Sequence, residues 1–66
     1  MPWFLVTCRL EHDDEDRLYV FETTDVPAAI ALAAGAMRLD DDSHREFFFN
    51  YVVECDTQPR VRLRNV

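Results

Sequence analysis

One stretch of the chain, Asp25 to Leu39 (DVPAAIALAAGAMRL), carries an unmistakable helical period, and any fold must pack the strand-like runs on either side against it. Thr24 or Asp25 can cap the free amide hydrogens of its first turn, and Pro27 sits where a missing N–H costs nothing. The alanine-rich body forms helix readily. At about 100° per residue, Val26, Ile30, Ala33, Ala34 and Met37 share one face, the stripe expected to meet the core. Leu32 and Leu39 point nearly opposite, with Ala28 and Ala36 beside them. Arg38 is the only charge between Val26 and Leu39, so the outward face is unusually dry. Alanine covers a surface at little cost, and a partner contact at Leu32 and Leu39 is the alternative reading. Gly35 weakens the helix by about 1 kcal/mol relative to alanine, and leaves room for a strand to approach closely.

The flanking runs alternate as strands do. In residues 3–11, Phe4, Val6, Cys8 and Leu10 form the set suited to a core, with Trp3, Leu5, Thr7, Arg9 and Glu11 on the other side. His12 to Asp16 is too charged to bury and sits where a hairpin loop belongs. Residues 17–23 make a second strand in which Leu18 and Val20 compete with Tyr19 and Phe21 for the inward face. After the helix comes a second acidic loop, Asp40-Asp41-Asp42-Ser43, against the negative end of the helix dipole. A third strand, 45–55, sets Phe47, Phe49, Tyr51, Val53 and Cys55 against Glu46, Phe48, Asn50, Val52 and Glu54. Residues 56–59 turn, and 60–66 read as a fourth strand with Arg60, Arg62 and Arg64 outward.

The expectation is a single α+β domain over residues 1–66, ββαββ, with a mostly antiparallel four-stranded sheet in the order 2-1-3-4 and one helix on one face. A helix crossing the sheet makes strands two and three parallel, and strand one fits between them. Both acidic loops then lie at the same end.

Size and charge narrow the function classes. A chain of 66 residues buries only about 60% of the surface its unfolded form exposes, so an enclosed cofactor cavity would consume core it can hardly spare. No cofactor is expected. Thirteen acidic residues stand against seven arginines and no lysine, a formal charge of −6, which makes bare nucleic acid a poor partner and a basic protein surface a better one. The chain begins without the pattern of a signal peptide and has no apolar run of the roughly 20 residues that span a bilayer, so a cytoplasmic protein with reduced thiols is expected. Cys8 and Cys55 sit too far apart in the expected sheet for a disulfide.

Glu11, Asp13, Asp14, Glu15 and Asp16 with Asp40, Asp41 and Asp42 would form an anionic pole, the candidate partner-binding site. Closely spaced carboxylates on a rigid scaffold imitate phosphates to a cationic groove, whereas the plain alternative is a pair of solvated loops. His12 and His44 flank these loops, but their spacing matches no metal-ligand frame and no metal site is assigned. Nothing singles out one carboxylate for acid–base work, and Ser43 beside His44 makes no nucleophile site, so an enzyme is not expected. The arginine stripe can pair with Glu54 and Glu46 or meet an acidic partner; RNA would want it beside exposed Phe48, Trp3 or Tyr19, which the overall charge opposes.

The size, the −6 charge, the loops HDDED and LDDDS and the ββαββ pattern together resemble the small phage-encoded anti-CRISPR proteins that act on type I systems, in particular type I-C. The resemblance is one of overall character over the whole chain and rests on no shared motif. It implies a monomeric, non-enzymatic, DNA-mimicking inhibitor that occupies the basic DNA- or PAM-recognition surface of the Cascade complex. The alternative is a small acidic regulatory or structural domain that dimerises through the helix or a sheet edge.

Overall fold

The computed structural model of the chain describes residues 1–41 and 45–60. In chain order these form β1 (Trp3–Leu10), β2 (Arg17–Glu22), α1 (Val26–Asp40) and β3 (Phe47–Cys55). The sheet has the order β2-β1-β3, and β1 is antiparallel to both neighbours, so β2 and β3 run in the same direction. The fold is therefore a small α+β domain with one helix on a three-stranded antiparallel sheet. The described residues form three strands, so the four-stranded order 2-1-3-4 is not retained; of the expected fourth strand, 60–66, only Arg60 is described, and it is not in a strand.

β1 supplies the core as its alternation predicts: Phe4, Val6, Cys8 and Leu10 are buried almost completely. Burial of side chains this size contributes about 1.5–3 kcal/mol each for the larger ones. Across them lie Ala29, Ala33 and Met37 of α1, the small alanines over Phe4 and Val6, and Met37 filling the space beside Cys8 and Leu10. The inward stripe is thus rotated from the expected one. Ala29 replaces Val26, which is 41% exposed in the first turn.

The helix starts where Asp25 stops extended backbone, at φ −159° and ψ 176°, and its carboxylate accepts the Ala28 N–H at 2.9 Å. Pro27 sits in the first turn, where no intrahelical acceptor awaits its nitrogen. At the other end the Asp41 N–H bonds to Met37 O at 2.9 Å. No neighbour lies within 4 Å of the space a methyl group would occupy at Gly35, so this glycine serves no close strand approach.

The ambiguous second strand turns Tyr19 and Phe21 onto the core and leaves Leu18 exposed. In β3 the structure corrects the strict alternation. Thr7 lies opposite Tyr51 and Cys8 opposite Phe49, so Asn50 is an extra residue on β3, a bulge. One inserted residue exchanges the faces of everything beyond it. Phe47 and Phe49 face the helix as expected, but past Asn50 it is Val52 that packs on the core, while Tyr51 and Val53 turn away from it.

Cys55 lies opposite Trp3 and Cys8 opposite Phe49, six residues apart along β3, or about 20 Å at the rise of a strand. No disulfide can span that separation, and both thiols are free.

Candidate functional site

The loop after β1, the start of β2, the end of α1 and the start of β3 all meet at one end of the sheet. The first loop turns at once: the Asp13 N–H bonds to Leu10 O at 3.1 Å, and His12 takes φ 70° in the left-handed region. Glu11 N–H reaches Glu46 O at 2.8 Å, tying this turn to the segment that enters β3.

Arg45 joins the two acidic loops. Its Nη1 donates to Asp13 Oδ1 at 3.1 Å and to the Glu11 carbonyl at 3.3 Å, and its Nη2 donates to Asp41 Oδ1 at 3.5 Å. Both hydrogen bonding and charge hold its proton more firmly than usual, with the bond to Asp13 the largest cause, working against partial desolvation. The expected convergence of the two loops is real for Asp13 and Asp41. It is made by a cation.

The remaining acids divide by what they touch. Asp16 accepts from Arg9 Nε and from Asn50 Nδ2, each at 2.8 Å, on the face of the sheet away from the helix. Asp40 accepts the Tyr19 hydroxyl at 2.5 Å and lies 4.0 Å from Arg17. Burial, then the bond to Asp40, raises the Tyr19 pKa above its ordinary value. Arg17 and Arg45 also offset the unfavourable placement of Asp40 and Asp41 at the negative end of α1. The Glu11 side chain stands 3.5 Å from His12. Among the described residues, Asp14 and Glu15 are exposed and held by no hydrogen bond or ion pair. Asp42 lies outside the described residues.

Eight carboxylates of this end, Glu11, Asp13, Asp14, Glu15, Asp16, Asp40, Asp41 and Glu46, are thus set among Arg9, Arg17 and Arg45. The end keeps an anionic excess, with Asp14, Glu15 and Glu46 unpaired among the described residues. Sequence reasoning missed the arginines. Asp41 and Arg45 lie beyond the end of α1, where helical spacing does not pair them, and the reach of Arg45 to Asp13 depends on the sheet order.

Among the described residues no group of three or more His, Cys, Asp and Glu side chains could hold a metal ion, and His44 lies outside them. No helix of the described residues is long and apolar enough to cross a membrane. Arg60 makes no ion pair with Glu54 or Glu46 among the described residues; Arg62 and Arg64 lie outside them. Comparison with protein-family models, with curated proteins and with solved structures finds no match.

Proposed function

We propose that the protein is a non-enzymatic inhibitor whose acidic end occupies a basic nucleic-acid-binding surface, and that the DNA- or PAM-recognition surface of type I-C Cascade is its target. The observation that carries this reading is the Arg45 clamp: Asp13 and Asp41 are drawn together, and the next two carboxylates, Asp14 and Glu15, face solvent on a turn anchored to the sheet. Carboxylates on an anchored turn lose little backbone freedom on meeting arginines and lysines, which leaves more of their attraction for binding and for steering the encounter. In this reading Asp14 and Glu15 touch the partner first, Glu11 and Asp40 extend the anionic surface, and the arginines keep the end from flying apart by self-repulsion. A cytoplasmic location follows from such a target.

The test is a gel shift of type I-C Cascade on PAM-containing duplex DNA, with wild-type protein and with the double variant Asp14→Asn, Glu15→Gln. The wild type should block DNA binding and lose potency steeply as salt rises from about 0.1 to about 0.5 M. The variant touches no internal ion pair, and should need at least about tenfold more protein for the same block. Inhibition by the variant equal to that of the wild type, undiminished in high salt, would refute mimicry through this end. A second reading, an acidic regulatory domain that binds a partner through α1, is favoured by Leu39, which is 89% exposed, together with Leu32. Loss of partner capture on Leu39→Lys would support it.

A further inference from the structure

The face of the sheet opposite α1 bears no element among the described residues, yet it is not polar. Rows across it follow from the register. Val20, Leu5 and Val53 stand side by side, then Leu18, Thr7 and Tyr51, with Glu22, Trp3 and Cys55 beyond the first row and Phe48 beside Arg9 beyond the second. At the acidic end the band is bounded by Asp16, Arg9 and Asn50, which satisfy one another between the loop before β2, β1 and β3. A dry centre with a polar rim, Asp16 paired to Arg9 at one end and Glu22 at the other, is the composition of an interface.

We propose that this face packs against the same face of a second copy, giving a dimer with the two sheets inside and the two helices outside. Three observations select a second copy. The first is area. Leu18 is 40% exposed, Phe48 52%, Tyr51 56% and Val53 44%; with side chains of roughly 150–250 Å² this leaves about 400 Å², and the half-buried Trp3, Leu5, Val20 and Cys55 bring each face to about 550 Å². Two such faces bury about 1,100 Å², just above the roughly 1,000 Å² that a specific interface needs. The second is charge. A chain of net charge −6 repels its own copy least over a surface of little charge, and on this face Arg9 and Asp16 pair, leaving Glu22 unpaired among the described residues at the end away from the acidic loops. A strongly charged partner would find little counter-charge in it. The third is shape, since a face built from three neighbouring strands stacks on its equal at about 10 Å with its side chains interleaved.

Charge also chooses the symmetry. A two-fold axis along the strands would set the two acidic ends side by side. An axis in the plane of the interface and across the strands puts them at opposite ends, and leaves both open to solvent. The proposal does not depend on what the acidic end binds.

Sedimentation equilibrium of the full chain from about 1 to about 500 µM tests it. The mass should rise from one chain to two, and the association should hold or strengthen between about 0.15 and about 0.5 M salt, opposite in sign to binding through the acidic end. Val53→Lys and Leu18→Lys, which lower the net charge and so cannot act by added repulsion, should each raise the dissociation constant at least about tenfold with unchanged circular dichroism. Leu32→Lys on the helix should not. In the wild type, Cys55 should react with a thiol reagent more slowly as protein concentration rises. A single-chain mass at the highest concentration, a dimer broken only by Leu32→Lys, or Cys55 reactivity independent of concentration would each overturn the proposal.

Discussion

The two faces of β1 are both apolar and have different fates. Phe4, Val6, Cys8 and Leu10 lie under α1 and are buried almost completely, whereas Trp3 and Leu5 on the opposite face keep partial exposure. Between these extremes, Thr7 is only 3% exposed although no helix covers it. The central strand of a small sheet is shielded by its neighbours, Leu18 and Tyr51, as much as by a second layer. The difference teaches that low exposure on this sheet has two sources. Only burial under the helix brings close packing on every side.

That distinction predicts the largest effect. Phe4→Ala empties the space beneath Ala29 and Ala33 and should cost about 3–5 kcal/mol, enough to abolish cooperative unfolding in a domain this small. Val53→Thr on the bare face should cost less than about 0.5 kcal/mol for the isolated chain. Urea denaturation at low protein concentration measures both; comparable losses would mean that the two faces are packed alike.

Next in size is the bulge that separates the faces in β3. Deleting Asn50 forces either Tyr51 and Val53 inward or a shift in register, and removes the donor to Asp16. Overpacking a core already filled by Phe49 and Val52 should destabilise by about 1–3 kcal/mol. Stability unchanged by the deletion would show that β3 tolerates either register.

The bulge also marks the limit of what the sequence discloses. The pattern of β1 is readable because its core residues alternate without a break, and the helix start is readable because Asp25 and Pro27 do recognised local jobs. FFFNYVV offers an apolar residue on both faces at nearly every step, so the change of face at Asn50 leaves no trace in hydrophobicity. The helix stripe is hard to place for a related reason: with alanine on all sides, one rotation of α1 looks much like another, and the weight of Val26 draws the expected stripe toward it. For the acidic end, the meeting of the loops follows from strand order, and that much was legible. The arginines that neutralise part of it come from three separate elements, and their reach is a tertiary fact.

A smaller effect follows from titration on the covered face. Burial raises the Cys8 thiol above its ordinary 9.0, outweighing the nearby Arg17, and Tyr19 is raised by burial and by Asp40. Both folded-state values lie above the unfolded ones, so the fold binds these protons more tightly. Their stabilising contribution is complete below about pH 9 and is lost as pH rises through the folded values. Melting temperatures should therefore fall above about pH 9, and less so in Cys8→Ala when each protein is compared with itself at pH 7. An identical alkaline decline in the variant would remove Cys8 from the account.

The smallest expected change tests the other uncovered surface, the outward side of α1. Gly35 shares that side with Leu32 and Leu39 and has open space where a methyl group would go. Nothing in its surroundings requires glycine, and in a helix interior it leaves the unfolded chain more freedom than alanine would. Gly35→Ala should thus stabilise by about 0.5–1 kcal/mol, a rise of about 2–8 °C in Tm. The comparison with the sheet sharpens here. If the helix side is plain solvent-facing alanine surface, the gain appears at every protein concentration and the self-association is untouched. A gain that vanishes as concentration rises would mean that a second chain packs closely over Gly35, and would move the dimer contact from the bare sheet to the helix.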